Sequence, residues 1–248
     1  MYRGLLLSLL LSVGVYANTI TIAVSANVSY AIEELIEVFR ESHPDTKVRV
    51  VLGGSGKLTA QIQNHAPYQL FMSADMLYPN SLYKSGIAIT KPTIYAKGSL
   101  ALLSNKKRDF SRGLEILKDK KIAKISIANP KTAPYGRATL EALKSANIYS
   151  SIKEKFIYSE SISQSVAYTI TATDIGVIAK SSLFSPKMKR FREGINWIEV
   201  DPSLYKAIEQ GVVILKNAKD NAEVRSFYDF LYSSKAKEIF HKFGYSTL

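Results

Sequence analysis

Gly53-Gly54-Ser55-Gly56-Lys57-Leu58 is a glycine loop carrying a single hydroxyl. It lies directly after a β-like run, KVRVVL at 47–52, and directly before a helix-like one, LTAQIQNHA at 58–66. A strand, a glycine turn and a helix start together form a cup of backbone N–H groups without intrahelical partners, a setting that suits a small anion. Ser55 adds a hydroxyl donor to that cup. Lys57 gives the loop a superficial likeness to a phosphate loop, but the GxxxxGK[ST] spacing is absent. A plain turn with a capping serine is the competing reading of this loop taken alone.

Three other segments repeat the arrangement. In Ser25-Ala26-Asn27-Val28, Asn27 falls at the expected N-cap of a long amphipathic helix, where its amide can cap the helix or donate to a ligand. In Ala133-Pro134-Tyr135-Gly136-Arg137, the proline presets a first helical turn and Gly136 permits close backbone approach, so Tyr135 can offer its backbone N–H. In Glu160-Ser161-Ile162-Ser163-Gln164 the candidate donor is the N–H of Ile162. Each segment alone reads as an ordinary helix start. Together they can surround one small dianion with neutral donors, each helix terminus contributing roughly half a unit of positive charge. A cage without formal counter-charge also permits release.

The residues offer little for catalysis. The three histidines, His43, His65 and His241, lack metal-ligand spacing, and GGSGK is not the GxSxG elbow of a nucleophilic serine. No histidine or acid is evidently placed to activate Ser55, so a serine hydrolase is a distant alternative. A metal-cation receptor would need converging Tyr, His or carboxylate ligands, which these segments lack. The expectation is no catalytic residue, no cofactor and no direct cation ligand. The lone tryptophan, Trp197, reads as hinge or core.

The elements that must position the four segments alternate. Strands are expected at 19–26, 47–52, 68–74, 99–104, 124–129, 155–160, 174–180, 197–201 and 211–216. Helices are expected at 28–43, after Ser55, just beyond a capping Asp75, and at 138–148 and 163–173, with one terminal helical region at 227–244. The first helix has an apolar stripe of Val28, Ile32, Leu35, Ile36 and Phe39, and Pro44 helps to end it. Such alternation predicts an α/β architecture with largely parallel sheets. Two lobes of about 100 residues each suit the length better than one oversized sheet. The first comprises 18–98 and a return segment 205–248, and the second 99–204. Ligands in open α/β folds sit at the carboxyl ends of strands, which is where all four segments fall.

Residues 1–17 read as a cleaved secretory leader: Arg3, an apolar LLLSLLLSVGV, and Val15-Tyr16-Ala17 as the cleavage site. The apolar run is short for a membrane span. The chain has no cysteine, which removes disulfides, thiolate chemistry, cysteine zinc sites and a lipidated-cysteine anchor. An exported, unanchored protein of the periplasm is expected, without membrane insertion after cleavage. The formal charge is +12, from 33 basic and 21 acidic side chains. Loss of Arg3 with the leader leaves 32 against 21, or +11. The lysines are scattered, with no aromatic–basic motif, so the charge suggests a basic solvated surface and mild steering of anions, not nucleic-acid binding.

On GGSGKLTAQI, APYQLFMSAD, ANPKTAPYG, ESISQSVAY, DIGVIAK and KAKEIFHKFGY, the chain resembles the periplasmic molybdate-binding proteins of ABC transporters across nearly all of its mature region. The likeness is strongest to the branch with asparagine in the first loop and tyrosine after the proline of APYG. It implies a type II two-lobed periplasmic binding protein fold, each lobe a mixed, mostly parallel sheet flanked by helices, that closes on its ligand. It implies oxyanion contacts at Ala26, Asn27, Ser55, Tyr135 and Ile162. It further implies a monomer that captures molybdate, and tungstate with it, and delivers it to the permease of an ABC importer. Many members have a serine or threonine in the first loop and a tyrosine where this chain has Ala179. Sulfate is the rival ligand. Phosphate fits less well, because it keeps a proton and calls for an acceptor among the donors.

Overall fold

The computed structural model describes residues 18–248, and the leader read at 1–17 lies outside the described residues. The chain opens with β1 (Asn18–Ser25), α1 (Ile32–Ser42), β2 (Thr46–Gly53), α2 (Ser55–Gln63), β3 (Leu70–Met72), α3 (Leu77–Lys84) and β4 (Thr93–Gly98). It continues with β5 (Leu100–Leu103), β6 (Ile125–Ala128), α4 (Pro134–Ser145), α5 (Tyr149–Ile152), β7 (Phe156–Ser159), α6 (Ile162–Thr171), β8 (Ile175–Ala179) and β9 (Trp197–Glu199). It closes with β10 (Ile208–Ile214), α7 (Ala222–Phe230) and α8 (Ser234–Lys242).

The strands form two five-stranded sheets, ordered β2-β1-β3-β10-β4 and β7-β6-β8-β5-β9. Both are mixed. Parallel pairing is confined to β2-β1-β3 and β7-β6-β8, where helices connect the strands. Antiparallel pairing belongs to β10 and β5, the strands next to the passages between sheets. Ile20, Ile22, Ala23 and Val24 of β1 are all fully buried, as an inner strand covered on both faces requires. α1 turns Ile32, Leu35, Ile36 and Phe39 inward, where Phe39 meets Phe227 of α7 edge-on at 5.0 Å. α2 and α3 cover the opposite face through Leu58, Ile62 and Leu82. In the second sheet Ile125, Ile127, Ile175 and Val177 pack under Leu143 of α4, while Ala101, Leu103 and Ile178 face Trp197 and Met188.

Register places the functional loops. Ser25 is level with Gly53 at the ends of β1 and β2, so the segments that follow them leave the sheet side by side. Ala128 is likewise level with Ser159, which puts the starts of α4 and α6 together. Only Ser99 separates β4 from β5, and β4 runs against β10 with Gly98 opposite Ile208, so the passages out and back are adjacent. A Cβ at Gly98 would lie 2.1 Å from the Tyr135 hydroxyl, so this hinge position has no room for a side chain.

Three readings of the sequence need correction. The first helix does not begin at 28. A separate 3-10 turn, Ala26–Val28, precedes α1, and Asn27 caps nothing because its amide is committed elsewhere. The terminal helical region is two helices: the chain breaks at Leu231–Ser233, and Ser233 accepts a hydrogen bond from the Ala236 N–H to cap α8. β4, at the hinge, was not expected from TIYAKG, whose lysine and glycine dilute the strand pattern.

Candidate functional site

One small cavity lies between the two sheets. Its lining is Ser25, Ala26, Asn27, Gly53, Gly54, Ser55, Ala74, Ala133, Pro134, Tyr135 and Ile162. All five residues singled out from the sequence are therefore brought to one place, although they are spread over more than half the chain. The lining contains no Lys, Arg, His, Asp or Glu.

Each helix start leaves a particular N–H over. In the Ala26–Val28 turn the first N–H groups, those of Ala26 and Asn27, have no intrahelical acceptor. Ser55 is the first residue of α2, after the N-cap Gly54, and the next N–H, that of Gly56, donates to the Thr132 carbonyl of the opposite lobe at 3.0 Å. Pro134 opens α4 and has no N–H, so the first donor of that helix is Tyr135. Gly136 lets this turn press against β6, since a Cβ there would meet the Ala128 carbonyl at 2.2 Å. In α6, Ser161 accepts from the Gln164 N–H and Gln164 accepts from the Glu160 N–H. These two bonds fasten the helix start and leave Ile162 at the first helical position.

The Ser55 hydroxyl is held in a short chain. Its Oγ accepts from the Ala74 N–H at 3.0 Å and shares a hydrogen bond of 2.5 Å with Ser25 Oγ. That bridge uses one of the two hydroxyl protons and leaves the other for an acceptor in the cavity. The Asn27 side chain behaves differently. Its Nδ2 donates to Gln210 Oε1 at 2.8 Å and to Tyr245 Oη at 2.9 Å, and lies 3.5 Å from Tyr135 Oη. Among the described residues, Asn27 Oδ1 is the buried side-chain oxygen left without a partner. Burial pushes the Tyr135 hydroxyl well above its usual range, reinforced by Tyr245, Tyr95 and Tyr205 nearby, so it stays neutral.

Hydrogen bonds cross between the lobes around the cavity. Ser163 Oγ donates to the Ala26 carbonyl at 2.7 Å and Ser181 Oγ to the Asn27 carbonyl at 3.1 Å. Tyr78 Oη donates to the Thr132 carbonyl at 3.2 Å. Arg137 pairs with Asp75, its guanidinium stacked over the Tyr78 ring. Lys57 and Glu160 pair at 3.4 Å in solvent, where such a contact adds little.

The sequence did not point to Ala74, whose N–H completes the serine chain, or to Gln210 and Tyr245 behind Asn27. None of the three belongs to a recognisable local motif. Ala179 ends β8 in the core of the second lobe and does not line the cavity. Neither do the histidines: His43 stacks on Phe39, and His241 contacts Thr247. Among the described residues no cluster of His, Asp and Glu is placed to hold a metal ion, and no helix is long and apolar enough to cross a membrane.

Comparison with known proteins gives one pattern. The family described as bacterial extracellular solute-binding protein matches residues 20–246. The molybdate-binding protein ModA of Azotobacter vinelandii is 33% identical over 238 residues, 95% of this chain and 93% of its own. That of Rhodobacter capsulatus is 32% identical over 234 residues, 93% of this chain and 89% of its own. The solved structure of the Azotobacter vinelandii periplasmic molybdate-binding protein superposes with a TM-score of 0.85 at 27% identity, covering 92% of this chain and 99% of that one. A sulfate-binding protein from Mycobacterium tuberculosis shares the fold at 13% identity, with a TM-score of 0.77 over 93% of this chain and 87% of its own.

Proposed function

The chain belongs to the bacterial extracellular solute-binding proteins, and from that premise we propose that it captures molybdate, and tungstate with it, and delivers it to an ABC importer. The observation that carries this reading is the neutral cavity lined by four helix starts. Ala26, Asn27, Ser55, Tyr135 and Ile162 supply the donors, through backbone N–H groups and the Ser55 hydroxyl. A tetrahedral dianion has only acceptors to offer, and such a lining has mostly donors. Charge is balanced by oriented peptide dipoles, not by a cation that would hold the ligand against release. The protein acts by binding, not turnover. It works as a monomer in the periplasm. Residues 18–98 with 205–248 move as one lobe and 99–204 as the other.

Asn27 Oδ1 pulls in another direction. A buried acceptor without a partner would suit an anion that keeps a proton, as phosphate does. A ligand panel followed by thermal unfolding separates the cases. Molybdate and tungstate at a thousand times their Kd should stabilise the protein by about 4 kcal/mol. Sulfate and phosphate at equal concentration should raise the Tm much less. Sulfate matching molybdate would make the protein a general oxyanion receptor, and phosphate exceeding both would make Asn27 Oδ1 the deciding group.

A further inference from the structure

Tyr245 lies outside the cavity lining, at the C-terminal end of the chain, 218 residues from Asn27. It nevertheless grips Asn27 twice. Its hydroxyl donates to the Asn27 carbonyl at 2.8 Å and accepts from Asn27 Nδ2 at 2.9 Å. The second amide proton goes to Gln210 Oε1, and Gln210 is itself oriented by its Nε2 donating to the Ile208 carbonyl at 2.9 Å. The Asn27 amide therefore has one orientation, with nitrogen turned inward toward the hinge. It is not free to donate to a ligand.

As a donor, what remains of Asn27 for the cavity is its backbone N–H. A peptide unit is planar, with its carbonyl and N–H opposed, so anchoring one aims the other. The Ala26 carbonyl is anchored by Ser163 Oγ, which turns the Asn27 N–H away from the second lobe's hydroxyl. The next carbonyl, that of Asn27, shares its plane with the Val28 N–H and is anchored by Tyr245 Oη together with Ser181 Oγ, so these two act on the Asn27 N–H by fixing the residue's other side. Both peptide planes of the turn are thus fixed from outside. We propose that Tyr245, with Ser181 on the same carbonyl, is a positioning residue of the oxyanion site: it holds the Ala26–Val28 turn so that the Asn27 backbone N–H, not its side chain, meets the anion. The proposal rests on the oxyanion reading above.

Tyr245→Phe removes the hydroxyl and keeps the ring packed edge-on against Phe240 at 5.8 Å. Titration with molybdate should show a Kd raised about tenfold, the scale of one lost buried hydrogen bond. In amide NMR spectra the Asn27 resonance should lose its wild-type response to molybdate, while the Ser55 resonance keeps its own. Tyr232→Phe, which removes a half-buried hydroxyl bonded to Thr93 and not to the turn, should bind as wild type does. Wild-type affinity and a wild-type Asn27 response in Tyr245→Phe would overturn the proposal. Should that variant fail to fold, Ser181→Ala tests the same carbonyl, and unchanged affinity there overturns it equally. If the wild-type protein answers to no oxyanion, the functional reading falls by itself. The positioning role then stands if Tyr245→Phe moves the Asn27 and Val28 amide resonances of the ligand-free protein, and falls if it does not.

Discussion

Ser55 shows how one hydroxyl serves two purposes. It satisfies the Ala74 N–H and, through Ser25, keeps a proton available at the cavity. Ser55→Ala should weaken molybdate binding by about 1–3 kcal/mol, the scale for a hydrogen bond to a charged partner, and leave Ala74 with a buried N–H unpaired. Isothermal titration reads the first effect and thermal unfolding of the ligand-free protein the second. Asn27→Ala should weaken binding less directly, by freeing the turn from Gln210 and Tyr245. At this scale much of the site was legible. The glycine before Ser55 and the proline before Tyr135 are local signals, each read within a few residues; the cap that Ser161 gives the helix of Ile162 came from the structure. Ala74, Gln210 and Tyr245 were not legible, because alanine, glutamine and tyrosine carry no local mark, and their contacts span 19 to 218 residues.

The helices and strands follow the apolar periodicity closely wherever it is strong. α1 is the clearest case, with four buried apolar residues on one stripe and Phe39 fully enclosed among Phe227, Phe230 and His43. Phe39→Ala should cost about 3–5 kcal/mol of stability, read as a lower denaturation midpoint at unchanged m-value. Molybdate affinity at a temperature where the variant is folded should hardly change, since Phe39 packs against α7 and is not among the residues that line the cavity. The pattern failed where a long-range contact outweighed it. Val28 fits the α1 stripe, yet the chain makes a separate turn there because Asn27 is anchored across the hinge. The terminal helix looked continuous, yet Ser233 supplies a cap that competes with continuation.

For the whole molecule, the hydrogen bonds that cross the cleft concern closure. Ser163, Ser181 and Thr132 of one lobe bind backbone groups of the other, and Arg137 binds Asp75. These bonds favour one relative placement of the lobes, and an anion touching both sets of donors adds to them. Small-angle scattering should show compaction when molybdate is added. Arg137→Ala should need more molybdate to reach the same curve, and an unchanged curve at saturation in the wild-type protein would mean that the lobes do not move. The α/β layering and two crossings could be drawn from alternating elements, whereas the antiparallel pairing of β10 and β5 that makes both sheets mixed, and with it the closeness of β4 and β10, could not.

The uncharged lining has a calorimetric consequence. A receptor that meets an anion with lysine or histidine adjusts proton occupancy as it binds, and the buffer supplies or absorbs the difference. Here the nearest ionisable group in the lining, the Tyr135 hydroxyl, is displaced upward from its ordinary value near 10, away from neutrality. An upward shift keeps the proton on through the whole range below that value, in both bound and free protein. Capture should therefore be proton-silent: between about pH 6 and 9, titration heats in two buffers of very different ionisation enthalpy should coincide, and affinity should be flat with pH. Heats that diverge would reveal a titrating group coupled to the site that the lining does not contain.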